Sequence, residues 1–134
     1  MSSTTPPKRF SEFNRTLSAL KRCEAIAKRA SELKFCFGSP EGYLEKTKEE
    51  LDEVSEAFYE EKDEVHVKKE IGDLLVCICR FCTLQGWSTE ELLHQGLDKF
   101  EKRFKNMEIL AGGSIEGVPY EQQFQLWLKA KAQE

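Results

Sequence analysis

The amino-acid sequence predicts an all-α protein, and three observations carry that expectation. Apolar residues return at helical intervals through four long segments and one shorter last segment. Nowhere does a run of useful length alternate apolar with polar residues as a half-buried strand would. Only eight glycines and four prolines punctuate the 134 residues, and no repeat at solenoid spacing appears.

Residues 1–10 are polar and proline-containing and read as a flexible lead, with 11–134 forming a single all-α domain. The first helical segment places Phe13, Leu17, Leu20, Cys23, Ala27 and Ala30 at helical spacing, with Ile26 and Leu33 alongside. Gly38, Ser39 and Pro40 interrupt it, and Ser39 followed by Pro40 is a cap and first-turn pair for a second helix that runs to around Glu60. A third helix is marked by Val67, Ile71, Leu74, Ile78, Phe81 and Cys82, with Gly86 as its stop. The turn before it, Glu61 to Asp63, has neither Gly nor Pro, so that boundary is soft. Ser88 with Glu91 has the capping-box pattern for a fourth helix, which passes through Leu92, Leu93, Phe100, Phe104 and Met107 to Gly112 and Gly113. Pro119 opens a last short helix that carries Phe124, Trp127, Leu128 and Lys131.

Composition bounds the function. A chain of this length buries roughly two-thirds of its unfolded surface, enough for a sizeable core. A net charge of −4 and a pI near 5.4 argue against a surface that holds a nucleic-acid backbone, although a local basic cluster can still bind a phosphate. The longest apolar run, Leu74 to Cys79, is broken by Arg80 and is too short to cross a bilayer, and Met1 to Pro7 lacks a signal-peptide core. The expectation is a cytoplasmic protein with no membrane partner. Cys23, Cys36, Cys77, Cys79 and Cys82 are an odd set scattered mostly through helical segments, so most are expected to be free thiols. Cys79-x-x-Cys82 falls mid-helix with no second pair, which suits core packing better than zinc or redox chemistry.

The acids carry the chemical signal. Glu50/Glu53 and Glu70/Asp73 are pairs at helical spacing on two adjoining helices, so each pair converges on one side of its helix. Glu49, Asp52, Glu56, Glu60 and Glu61 fit a solvated face, but Glu70 stands four before Leu74, seven before Cys77 and three after Val67, inside the apolar stripe. Glu50 is similarly placed, four before Val54 and seven before Ala57, with Glu53 and Lys46 on the same border. A carboxylate in such a place must be neutralised, ion-paired or metal-bound. Ion pairs of Glu50 and Glu70 with Lys46, Lys99 or Arg103 are the structural alternative. An oxygen-only ligand set suits Mg²⁺ or Mn²⁺, and Lys99 and Arg103, one turn apart on the fourth helix, supply the cations a polyphosphate needs.

These residues resemble the MazG family of all-α nucleoside triphosphate pyrophosphohydrolases. Its acidic signature, Glu-Glu-x-x-Glu followed at a distance by Glu-x-x-Asp, appears as Glu49-Glu50-Leu51-Asp52-Glu53 and Glu70-Ile71-Gly72-Asp73. The likeness extends to Ala19-Leu20-Lys21-Arg22 through Phe35, to Lys99-Phe100-Glu101-Lys102-Arg103-Phe104, and to Leu126-Trp127 through Lys131. It implies a bundle of four core helices plus a short C-terminal helix, assembled as a homodimer or higher homo-oligomer whose site draws on both chains. It also implies Glu50, Glu53, Glu70 and Asp73 as metal ligands, Lys99 and Arg103 as the phosphate-binding pair, and Lys46, Trp127 and Lys131 around the substrate. The implied reaction is Mg²⁺-dependent hydrolysis of a nucleoside triphosphate to monophosphate and pyrophosphate. Four positions depart from the family pattern. Leu97 stands where an asparagine is frequent and Phe37 where a tryptophan is; His66 and Lys69 replace a lysine and an acid of some relatives.

In such a site Glu49 or Glu53 is the acceptor for the proton of an attacking water, and the residues leave the choice between them open. Trp127 stacks on a base or closes the core. Two rival functions have distinct signatures. Glu91-x-x-His94 is half of a di-iron carboxylate site, but the second half is missing and Glu91 is better explained as the partner of Ser88. A catalytically weak nucleotide-binding module is the other alternative, and Leu97 and Phe37 are the features that favour it.

Overall fold

The computed structural model describes residues 17–35 and 39–134. Phe13, Cys36, Phe37, Gly38 and the lead at 1–10 lie outside the described residues. Every described element is helical, as the periodicity predicts, and no strand occurs among the described residues. The chain divides into two units, residues 1–90 and residues 91–134.

The first unit holds α1 (Ala19–Glu32), α2 (Pro40–Glu56), a π-helical turn (Ala57–Glu61) and α3 (Glu64–Leu84), with α3 packed against both α1 and α2. Ser18 caps α1 by accepting a hydrogen bond from the Lys21 N–H, so Leu17 precedes the helix and is exposed. α1 stops sooner than its apolar pattern suggests. Lys34 takes a left-handed conformation (φ 61°), and the Phe35 N–H returns to the Ala30 carbonyl, which leaves Leu33 beyond the helix and exposed.

Ser39 accepts from the Gly42 N–H and Pro40 opens α2, as expected. Tyr43, Glu50 and Ala57 recur every seven residues and are all buried, so the inward stripe of α2 contains a carboxylate at its middle. The helix then widens into the π turn rather than continuing to Glu60. Lys62, again left-handed (φ 54°), ends that turn, and Asp63 accepts from the N–H groups of Val65 and His66 to start α3. The boundary that the residues left soft is therefore sharp.

α3 differs from its apolar pattern. Its buried residues are Cys77, Cys79 and Cys82, while Ile71, Leu75 and Ile78 are exposed on the single chain. α3 is apolar on more sides than α1 and α2 cover. It ends as predicted at Gly86 (φ 78°), where the Trp87 N–H reaches the Cys82 carbonyl and the Gly86 N–H reaches that of Thr83. Ser88 and the Glu90 N–H both donate to Glu24 of α1, so a carboxylate from another helix helps cap the start of α4 (Thr89–Leu110).

The second unit contains the rest of α4 and α5 (Tyr120–Ala132). α4 closes at Gly112 (φ 80°), with the Gly113 N–H bonded to the Glu108 carbonyl. Pro119 is the cap residue of α5 rather than its first helical residue. No helix among the described residues is long and apolar enough to cross a membrane. Cys23, Cys77, Cys79 and Cys82 are all free thiols.

Candidate metal centre

The seven-residue stripe of α2 carries Glu50 to 6% exposure, and Glu53 follows one turn later at the edge of the same face. α3 brings Glu70 to them. One oxygen from each of Glu50, Glu53 and Glu70 lies within 4.8 Å of the other two. Asp73, three residues after Glu70, is exposed and stands outside this group of three. Glu49 is exposed and turned toward Lys46.

Lys46 is the only cation that α2 itself gives the trio, with its Nζ 3.1 Å from Glu50 Oε1 and 3.5 Å from Glu49 Oε2. This realises part of the ion-pair alternative, but only part. Oε2 of Glu50 and Oε2 of Glu70 are both buried with no hydrogen-bond donor. Buried acceptors of that kind are costly unless something positive completes them.

The third residue of α3 adds a contact that the sequence reading placed only at the rim. His66 Nε2 lies 3.0 Å from Glu70 Oε1, and its Nδ1 lies against Glu61 Oε2 on the π turn. A neutral imidazole donates from one nitrogen only, so serving both carboxylates takes a second proton on the ring or a proton on an acid. The electrostatics agree with that crowding. Glu61, and then Glu70, raise the His66 pKa above its ordinary value. Hydrogen bonding with Glu53 and Glu50, helped by burial, pushes Glu70 up to about 7. Burial works against the charge of Glu50, yet the hydrogen bond from Lys46 and those shared with Glu70 and Glu53 hold its pKa below the usual range. Three carboxylates thus share too little positive charge and behave like acids sharing protons.

The expected phosphate and substrate residues lie in the second unit. Arg103 is buried at 8% exposure, with Nε and Nη2 donating to the two oxygens of Glu134 at 2.6 and 2.7 Å. Its guanidinium also lies 4.6 Å from the centre of the Trp127 ring, and Phe100 flanks that ring at 5.4 Å. Lys99 and Lys131 are exposed. Trp127 is therefore half-buried in an Arg–aromatic cluster, and the fork of Arg103 already grips a carboxylate in the bidentate manner suited to phosphate. The Glu134 partnership has no local signal, because thirty-one residues separate it from Arg103. His66–Glu70 does have one, the four-residue helical interval; Glu61–His66 spans a helix break and does not.

The MazG nucleotide pyrophosphohydrolase domain matches residues 38–108, which include α2, the π turn and α3 with all three clustered glutamates. Over 126 residues the chain is 36% identical to a Thermotoga maritima protein named nucleoside triphosphate pyrophosphohydrolase/pyrophosphatase MazG. Over 127 residues it is 34% identical to the nucleoside triphosphate pyrophosphohydrolase of Escherichia coli. Each alignment takes in 92% of this chain and 48% of the relative, so the chain spans about half the length of the curated relatives it matches. With the acidic signature, its placement on α2 and α3 and these similarities in agreement, the chain belongs to the MazG nucleotide pyrophosphohydrolase family.

Proposed function

We propose that this chain hydrolyses nucleoside triphosphates to the monophosphate and pyrophosphate at a divalent-cation site held by Glu50, Glu53, Glu70 and Asp73. The observation that carries the reading is the convergence of Glu50, Glu53 and Glu70 with two buried oxygens that no donor reaches. Lys46 and a protonated His66 together offset at most two of three negative charges, which leaves the trio suited to a dication. An all-oxygen donor set favours Mg²⁺, with Mn²⁺ as a substitute. Bound there, Mg²⁺ supplies Lewis-acid polarisation of phosphate oxygens and acidifies a coordinated water.

The rest falls to the side chains. Water oxygen forms a bond to the α-phosphorus, the bond from that phosphorus to the α–β bridging oxygen breaks, and pyrophosphate leaves with that oxygen. Glu53 or Glu49 takes the water proton. Glu53 belongs to the trio and Glu49 is salt-bridged to Lys46, which favours Glu53. Lys99 and Arg103 neutralise charge on the departing pyrophosphate, the phosphate replacing Glu134 in the Arg103 fork. Trp127 offers a ring face toward the base, and Lys46 and Lys131 contact the substrate. Ile71, Leu75 and Ile78 form an exposed apolar row on α3, which supports a homodimer.

Pyrophosphate release from a panel of standard and modified ribo- and deoxynucleoside triphosphates with Mg²⁺ tests the reading. The expected result is pyrophosphate plus monophosphate, abolished in Glu70→Gln while the helical content is kept. Nucleotide binding without pyrophosphate release across the panel would favour a binding module instead.

A further inference from the structure

His66 sits in the first turn of α3, four residues before Glu70, and its ring is fixed from three directions. The Asp63 cap holds its backbone N–H at 3.3 Å. Glu61, brought back by the π turn and the left-handed Lys62, engages Nδ1. Glu70 Oε1 receives Nε2 at 3.0 Å. Of the two oxygens of Glu70, one is therefore occupied by the ring, and the other, Oε2, is buried and has no donor.

We propose that His66, oriented by Glu61, is a positioning residue that ties down Oε1 of Glu70 and leaves Oε2 as the single oxygen offered to a divalent cation. The inference rests on the trio being a cation site and names what aims one of its ligands. A glutamate carboxylate rotates readily about its last bond, so an unanchored Glu70 has no fixed ligand oxygen. A donor outside the ligand set removes that freedom and also prevents both oxygens from chelating together. Losses of such outer partners typically weaken metal affinity about 10–100-fold. The π turn acquires a role on this view: it carries the carboxylate that steadies the ring, next to a helix that carries two ligands.

The two amide replacements of histidine separate this role from packing. The side-chain nitrogen of glutamine reaches the position of Nε2, whereas that of asparagine reaches only that of Nδ1. Mn²⁺ binding to the full chain, followed by electron paramagnetic resonance at a single pH, is compared for the unsubstituted chain, His66→Gln and His66→Asn, with the melting temperature of each recorded. The expected result is affinity close to the original in His66→Gln and about 10-fold or greater loss in His66→Asn, with melting temperatures alike. Equal affinities in all three chains, or equal losses in both variants, would overturn the positioning role. An unsubstituted chain that binds no Mn²⁺ would overturn the cation site itself, and with it this inference.

Discussion

Glu70 is the residue in which the chemistry of the site is most visible, because its ordinary carboxylate pKa is pushed to about 7 by two neighbouring acids. The sign of the consequence is definite. Between about pH 4.5 and 7 the folded, metal-free chain keeps a proton that the unfolded chain has lost, so the associated stability is complete below that window and disappears as pH rises through it. His66, raised above 6.5 by Glu61, contributes in the same direction. Glu50, with a lowered pKa, acts oppositely, but only as pH falls below the ordinary carboxylate range. Thermal midpoints measured in chelator should therefore fall from about pH 5 to pH 8, and Glu70→Gln should flatten that slope. A midpoint that rises over the same range would contradict the shared-proton description. Glu50, Glu53 and Glu70 were legible in the sequence because three- and seven-residue intervals decide which face a side chain occupies. The Arg103–Glu134 and Glu61–His66 contacts were not, since neither partner lies at a helical interval within one unbroken helix.

At the scale of elements, the helix ends explain what local residues reveal and what they conceal. Gly86, Gly112 and the Ser39–Pro40 pair announce their turns, since each residue type has a conformational reason to be there. Lys34 and Lys62 occupy the same left-handed region without the glycine that normally advertises it. That is why α1 ends before the expected interruption and why the start of α3 was not marked. An L-residue in that region costs about 1–2 kcal/mol, part of which glycine returns as greater freedom in the unfolded chain. Lys62→Gly should accordingly raise stability by about 0.5–1 kcal/mol in urea unfolding, since nothing but backbone strain is being relieved. A loss of stability would show that the lysine side chain itself holds the turn.

For the whole molecule, the all-α class followed from periodicity, and the choice of buried face on α3 did not. Its sequence is apolar on more than one side, so the chain alone gives no rule for which side faces α1 and α2 and which remains exposed. The structure buries Cys77, Cys79 and Cys82 and leaves Ile71, Leu75 and Ile78 in the open. If that row is the contact between two copies, sedimentation at micromolar concentration should give twice the chain mass, and Leu75→Glu should halve it. An unsubstituted chain that sediments as a monomer would remove this face from consideration as a homodimer contact.

The π turn has one further consequence, and it concerns chain length rather than residue identity. A helix that widens for one turn shifts the phase of everything after it, so Glu53 before the turn and Glu61 after it no longer follow a common α-helical count. Phe58 and Tyr59 within it are exposed, leaving their side chains room to vary. The number of residues between Ala57 and Asp63 has no such latitude. Deleting one of them would turn Glu61 away from His66 without altering a single residue of the site.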